Sequence, residues 1–178
     1  FVPSDLRQQA KLASVEFQDE LRTPEEHDAW AQQARYYAMI AQIDEQFGRI
    51  LTALDRSGQR ENTLVVFTSD HGEALGDHGL MYKGCRFYEG LMRVPLIFAG
   101  PGGLPSGIVS DALVELLDMS ATIVEATGLD QPEYMQGRSL MPILGCDANP
   151  GHHRDFVRCE YFDAIDAGPG LRYVPPGS

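Results

Sequence analysis

The sequence predicts an α/β fold: a mostly parallel sheet flanked by helices, followed by a C-terminal segment that contains a strand. Three observations predict it. Apolar residues recur every three or four positions at Trp30, Ala34, Tyr37, Ile40, Ile43, Phe47, Ile50 and Leu54, which is a helical stripe. Two short runs, LVVF at 64–67 and LIFA at 96–99, are continuously apolar, as in parallel strands covered on both faces. Helical segments alternate with these runs along the chain, the order of an α/β sheet.

The elements follow in turn. Residues 1–22 are of mixed polarity, with Pro3 near the front, and read as a loop and linker with a short helical stretch. The body of the domain is expected over 23–164. In TPEE (23–26) Thr23 can cap a helix, Pro24 suits its first position and Glu26 completes a capping box. The long helix that follows should bury one face and stop at Gly58. NTLVVFTSD gives the first strand and RVPLIFAGPG the second, closed by a Gly/Pro turn. Residues 111–117 fit either a third strand or the start of a helix. DMSATIVEATG (118–128) reads as a capped helix ending in glycine, and Ser139 as the cap of a short helix in SLMPIL. DFVRCEYF reads as a strand, and 165–178 as an irregular Gly/Pro-rich tail.

Composition narrows the function. The 178 residues carry 14 basic and 26 acidic side chains, a net charge of −12. So acidic a chain is poorly suited to nucleic acid, whose binding rests on phosphate neutralisation. No apolar run approaches the ~20 residues of a membrane span. Three cysteines, Cys85, Cys146 and Cys159, lie far apart and form no CxxC pair, which argues against a zinc knuckle or a disulfide framework and fits a reducing compartment. The chain opens at Phe1 without an initiator methionine and is expected to be part of a longer polypeptide.

The chemistry concentrates in SDHGEALGDHGLMYKG (69–84). Asp70 and His71 close an apolar run, where ligands bind in open α/β sheets. Carboxylate oxygen and imidazole nitrogen both ligate metals, although Asp-His-Gly after a strand also serves as a simple turn. Gly72, Gly76 and Gly79 let the next loop turn tightly. Local charge then changes sign. Residues 70–79 hold Asp70, Glu73 and Asp77 without Lys or Arg, whereas 80–95 hold Lys83, Arg86 and Arg93 against Glu89. An acidic cluster beside a basic one suits a cation and an anionic substrate in one site, with Lys83 stabilising charge on a transferring group. His78 and Arg93 are secondary candidates: a histidine placed like His78 is more often a loop hydrogen-bonder than a ligand, and Arg93 also fits an ion pair with Glu89 four residues earlier. His152 and His153 adjoin Gly151 and read as exposed loop residues. Cys85 has no recognisable partner histidine and reads as buried or idle.

These residues carry a resemblance. TLVVFTSDHGEALGDHGLMYKGCRFYEGLMRVPLIFAGPG resembles the C-terminal half of a sulfatase, in the alkaline-phosphatase-like superfamily. YYAMIAQIDEQFGRIL resembles the helix before that strand, and LVELLDMSATIVEATGLDQPEYMQGRSLMPIL the segment after it. The resemblance implies an alkaline-phosphatase-like sandwich in which Asp70 and His71 ligate a divalent metal and Lys83 contacts the sulfate or phosphoryl group. The thirteen-residue step from Asp70 to Lys83 is similar to that of choline sulfatases and phosphonate monoester hydrolases. The implied metal is calcium, with manganese or zinc as alternatives.

The family nucleophile is a formylglycine made from Cys or Ser within C/S-x-P-x-R. CRFYE, CDANP and CEYFD all depart from that motif, and the aspartates of the family's N-terminal strand have no counterpart here. The implied reading is the C-terminal part of a metal-dependent sulfuric-ester hydrolase, inactive alone, whose nucleophile lies outside these residues. Its partner would be a small anionic sulfate ester, with oligomerisation left open. Two alternatives stand beside it: a phosphonate or phosphate ester hydrolase of the same superfamily, and a non-catalytic segment that binds an ion or a partner.

Overall fold

The computed structural model describes residues 29–160 apart from 81, 84, 85, 102 and 103. The expected TPEE cap, the 1–22 linker and the tail fall outside the described residues, as does Cys85.

Helix α1 spans Ala29–Arg56. It ends where the sequence indicates: Gly58 takes φ 68°, a left-handed conformation glycine adopts without strain, and the Gly58 and Gln59 amides bond back to Asp55 and Leu54. None of the described helices is long and apolar enough to cross a membrane. Strands β1 (Val65–Thr68) and β2 (Leu96–Ala99) form a two-stranded sheet. α1 lies on this sheet through Phe47, whose ring stands 5.2 Å from that of Phe67. A cavity of about 300 Å³ remains between the helix and the sheet, lined by Phe47, Leu51, Phe67 and Ile97 among others.

Three expectations are corrected. First, β1 and β2 pair antiparallel, Val65 opposite Ala99 and Thr68 opposite Leu96. A continuous apolar run reports neither direction nor cover on both faces: β1 is half-buried throughout, whereas Ile97 and Ala99 of β2 are exposed, so one face of β2 is open among the described residues. Direction is set by the connector, which folds back when the Gly72 amide bonds the Leu91 carbonyl at 2.8 Å. Second, the stripe on α1 is largely outside the packed interface. Phe47 and Leu54 are half-buried, but Trp30 is 83% exposed and Ile50 63%, with Tyr37, Ile40 and Ile43 also exposed. The helical period is real, but among the described residues only its Phe47–Leu54 end is partly covered, while Trp30, Tyr37, Ile40, Ile43 and Ile50 stay exposed. Third, residues 155–160 of DFVRCEYF form no strand.

Helix α2 is one turn, Glu89–Met92, just before β2. Residues 111–115 are neither strand nor helix, and of the stretch 111–117 only Leu116 and Leu117 open a helix, α3, Leu116–Ala126. Glu115 caps it in a box with Asp118, and Gly128 at φ 72° follows its end. Helix α4, Met141–Leu144, packs on α3, and Ser139 Oγ accepts the Met141 amide at 3.1 Å. The core here is small: Ala121, Leu140 and Ile143 are buried with Thr122, whose hydroxyl donates to the Asp118 carbonyl and accepts from the Leu140 amide.

Candidate metal and anion site at the end of strand β1

The last residue of β1 is Thr68, and the next four make a tight corner. Ser69 Oγ donates to the His71 carbonyl at 2.8 Å, and the His71 amide donates to Asp70 Oδ1 at 3.0 Å. Gly72 then packs so closely on α2 that a Cβ there would overlap the Gly90 carbonyl. Only glycine allows that approach. The loop beyond is compact. The Gly76 amide bonds the Leu80 carbonyl, the Asp77 amide bonds Ala74, and Gln33 of α1 reaches across to the Leu75 carbonyl at 2.7 Å. Leu75 (φ 48°), Gly76 (φ 102°) and His78 (φ 56°) all take left-handed backbone, which is uncommon for non-glycine residues and costs free energy.

The geometry selects the tautomer of a neutral His71 ring. Its Nδ1 lies 2.9 Å from the Gly72 carbonyl oxygen, which can only accept, so Nδ1 carries the proton. In the neutral ring the lone pair then sits on Nε2, 3.5 Å from Asp70 Oδ2. Two electron-pair donors therefore face each other at the strand end, and a cation between them would satisfy both. Backbone bonding of the second ring nitrogen is also how metal-ligating histidines are commonly oriented. The donor set thus fits a divalent metal. Among the described residues no group of three or more His, Cys, Asp or Glu side chains is placed to hold one.

Asp70 is open to solvent, its side chain 84% exposed. The His71 amide hydrogen bond holds its pKa below the usual carboxylate value, helped by the imidazole and, more weakly, by Lys83. Glu73 shifts the other way. Burial raises its pKa, while Lys83, His71 and the Ala74 amide pull against that. The Lys83 charge thus acts on both carboxylates, from an exposed position whose carbonyl accepts from Arg86 Nη1 at 3.3 Å.

The secondary candidates are engaged elsewhere. The His78 ring stacks on Tyr88, centroids 4.0 Å apart and planes at 16°. Arg93 Nη1 pairs with Glu89 Oε1 at 3.2 Å, both exposed.

A second cluster was not foreseen. Asp118 is wholly buried at the start of α3 and accepts from the Glu115 amide (2.9 Å), the Arg138 amide (2.8 Å) and Arg154 Nη2. Arg154 Nη1 also pairs with Glu115 at 2.6 Å, and the Arg158 amide donates to Glu115. His153, expected in an exposed loop, is buried to 9% side-chain exposure, with Nε2 3.4 Å from Asp118 Oδ2. His152 is exposed as expected. The readable signal was Glu115-x-x-Asp118, a capping box. Nothing in the HHR triplet at 152–154 announces that it docks there.

The model of the sulfatase family matches residues 7–129. The chain belongs to the sulfatase family. Arylsulfatase K of Xenopus laevis is 41% identical to this sulfatase chain over 116 residues, 65% of this chain and 21% of that protein. The solved phosphonate monoester hydrolase of Silicibacter pomeroyi superposes with a TM-score of 0.64 at 34% identity, over 76% of this chain and 26% of that one. A structure solved with its substrate D-glucosamine-2-N,6-O-disulfate superposes with a TM-score of 0.61 at 36% identity, over 69% and 24%. This sulfatase chain therefore spans a fifth to a quarter of these proteins, 21% to 26% of their lengths.

Proposed function

We propose that these residues form the C-terminal part of a metal-dependent sulfatase that hydrolyses small anionic sulfate esters. The observation that carries this reading is the pair of facing donors, Asp70 Oδ2 and His71 Nε2, 3.5 Å apart at the end of β1. In this reading Asp70 and His71 hold a divalent cation, calcium first and manganese or zinc otherwise. The Gly72–Leu91 bond keeps the corner rigid. Lys83 faces the substrate's sulfuryl oxygens and stabilises the charge that grows on them. The metal, when bound, supplies Lewis-acid polarisation of those oxygens, and the family's formylglycine supplies the nucleophile from outside these residues. The two strands would then belong to a larger sheet, which also gives the exposed stripe of α1 something to cover it.

The experiment is a paired one. The full-length polypeptide should hydrolyse p-nitrophenyl sulfate and lose that activity on chelation, and the 178-residue chain alone should not turn it over. Calorimetry of the 178-residue chain with calcium or manganese should give a weak event, because two ligands make an incomplete shell, and Asp70→Ala should abolish it. Tight binding indifferent to Asp70→Ala would overturn the metal assignment.

A second reading, hydrolysis of phosphonate or phosphate esters at the same site, is favoured by the match to a phosphonate monoester hydrolase and by the thirteen-residue Asp70–Lys83 step. Relative kcat/KM on p-nitrophenyl sulfate and p-nitrophenyl phenylphosphonate separates the two.

A further inference from the structure

We propose that residues 153–159 form a strap that positions α2, and through α2 the Asp70–His71 corner, with Arg154 and Cys159 as the positioning residues at its two ends. The inference rests on the reading of that corner as a metal site given above. The segment has no helix or strand of its own, so its path is set by the bonds it makes to other elements. At the α3 end, Arg154 Nη1 pairs with Glu115 Oε2 at 2.6 Å and Nη2 with the wholly buried Asp118. Four residues on, the Arg158 amide donates to the other Glu115 oxygen at 2.7 Å. At the far end the Cys159 thiol donates to Met92 Sδ at 3.7 Å. Met92 is the last residue of α2. The segment therefore runs from α3 to α2 and is bonded to both.

Helix α2 is four residues long. One turn loses more conformational entropy than its hydrogen bonds return, so neighbours decide where it sits. Leu91 is buried, the Leu91 carbonyl accepts the Gly72 amide at 2.8 Å, and Met92 accepts from Cys159. The Gly72 contact is the joint with the corner. Gly72 packs on the Gly90 carbonyl, and its own carbonyl oxygen takes His71 Nδ1 at 2.9 Å. A shift of α2 therefore carries Gly72 with it and turns the imidazole whose Nε2 faces Asp70. The two ends of the strap are unequal. The ion pairs at α3 are nearly buried and anchor it, whereas the sulfur contact is exposed and only has to steady a single turn. In this scheme Arg154 and Cys159 touch neither metal nor substrate. They act through α2.

A double-mutant cycle on the full-length polypeptide tests this, read by calorimetry with manganese and by hydrogen exchange at the Gly72 amide. Arg154→Met frees the α3 end and should weaken manganese binding by about 3- to 30-fold, the range for coupling through a packed network. Exchange at the Gly72 amide should quicken with it. Cys159→Ala frees the other end and should give a loss of the same size. The double variant should bind within about twofold of either single one, because a strap cut at one end has nothing left to lose at the other. Ile143→Val trims the α3–α4 core and removes none of these bonds, so it should lower stability and leave manganese affinity unchanged. If circular dichroism shows that Arg154→Met does not fold, the cycle is read with Arg154→Lys, which keeps a charge but not the two-nitrogen fork. Losses that multiply in the double variant, or an equal loss in Ile143→Val, would overturn the strap. So would unchanged affinity in both single variants while Asp70→Ala still abolishes binding. Manganese binding indifferent to Asp70→Ala would overturn the reading of the corner, and this inference with it.

Discussion

The corner after β1 and the start of α3 use the same alphabet, a carboxylate, a histidine and a cation, to opposite ends. At α3, Asp118 is wholly buried, accepts from two amides and Arg154, and has His153 at 3.4 Å. At β1, Asp70 is exposed, takes one amide bond, and turns its other oxygen to the lone pair of His71. The first carboxylate has its partners inside the chain and little capacity for a ligand. The second is left with acceptor capacity facing outward. Residue type alone therefore does not separate a clasp from a site. The number of donors already spent on each oxygen does.

The largest effect expected is on the clasp. Asp118→Ala would leave the buried Arg154 with Glu115 as its one remaining carboxylate partner and the Glu115 and Arg138 amides without their acceptor. Removing one partner of a buried ion pair costs about 3–5 kcal/mol. Urea unfolding of the full-length polypeptide should show that loss, and Asp118→Asn, which keeps an acceptor oxygen, should cost less. A loss under about 1 kcal/mol, the level of an ordinary substitution, would mean that water reaches the cluster.

Lys83→Ala should show the reverse profile, with stability unchanged and activity lost. Removing one stabilising contact to a developing oxyanion typically costs about 100- to 1,000-fold in turnover, or roughly 3–4 kcal/mol. Lys83→Arg should recover only part of it, because a planar fork does not replace a compact ammonium. Turnover within a factor of about two would make Lys83 an ordinary loop residue.

The same contrast explains what the sequence made legible. α1, α3 and both strands were readable because each is a local pattern: a 3.6-residue period, an apolar run, a cap, a glycine stop. The corner at Asp70 was readable because its residues are adjacent and follow a strand. The clasp was not, because Asp118 and His153 are thirty-five positions apart and meet only through packing. Strand direction was misjudged for the same reason: it depends on Gly72 meeting Leu91 across a loop, which no window of sequence contains. The exposed stripe of α1 shows the limit from the other side. Its periodicity announces a buried face, yet burial needs a neighbour, and the described residues partly cover only its Phe47–Leu54 end.

Gly72→Ala probes the joint on which the corner depends. The added methyl would overlap the Gly90 carbonyl, so either α2 shifts or the Gly72–Leu91 hydrogen bond opens. Overpacking of this kind costs about 1–3 kcal/mol. Calcium or manganese binding should weaken together with stability, because His71 is the preceding residue. Unchanged thermal unfolding and unchanged calorimetry would show that the loop relaxes freely and that the corner is not rigid.

The smallest effect is expected at Arg93, and it sharpens the comparison because Arg93 belongs to the same basic run as Lys83. Charge counting puts both beside the acidic cluster. The structure gives Arg93 a partner of its own, Glu89 Oε1 at 3.2 Å, one turn earlier in the chain and exposed like Arg93 itself. An exposed i,i+4 pair of this kind is worth about 0.3–0.5 kcal/mol and weakens in salt. Arg93→Ala should therefore leave kcat/KM on p-nitrophenyl sulfate within a factor of about two, and shift the unfolding midpoint little. A tenfold or greater loss would mean that the guanidinium leaves Glu89 for the substrate anion in the full-length polypeptide. In that case a Glu89→Gln variant, which frees Arg93 without removing it, should retain or raise the activity that Arg93→Ala destroys.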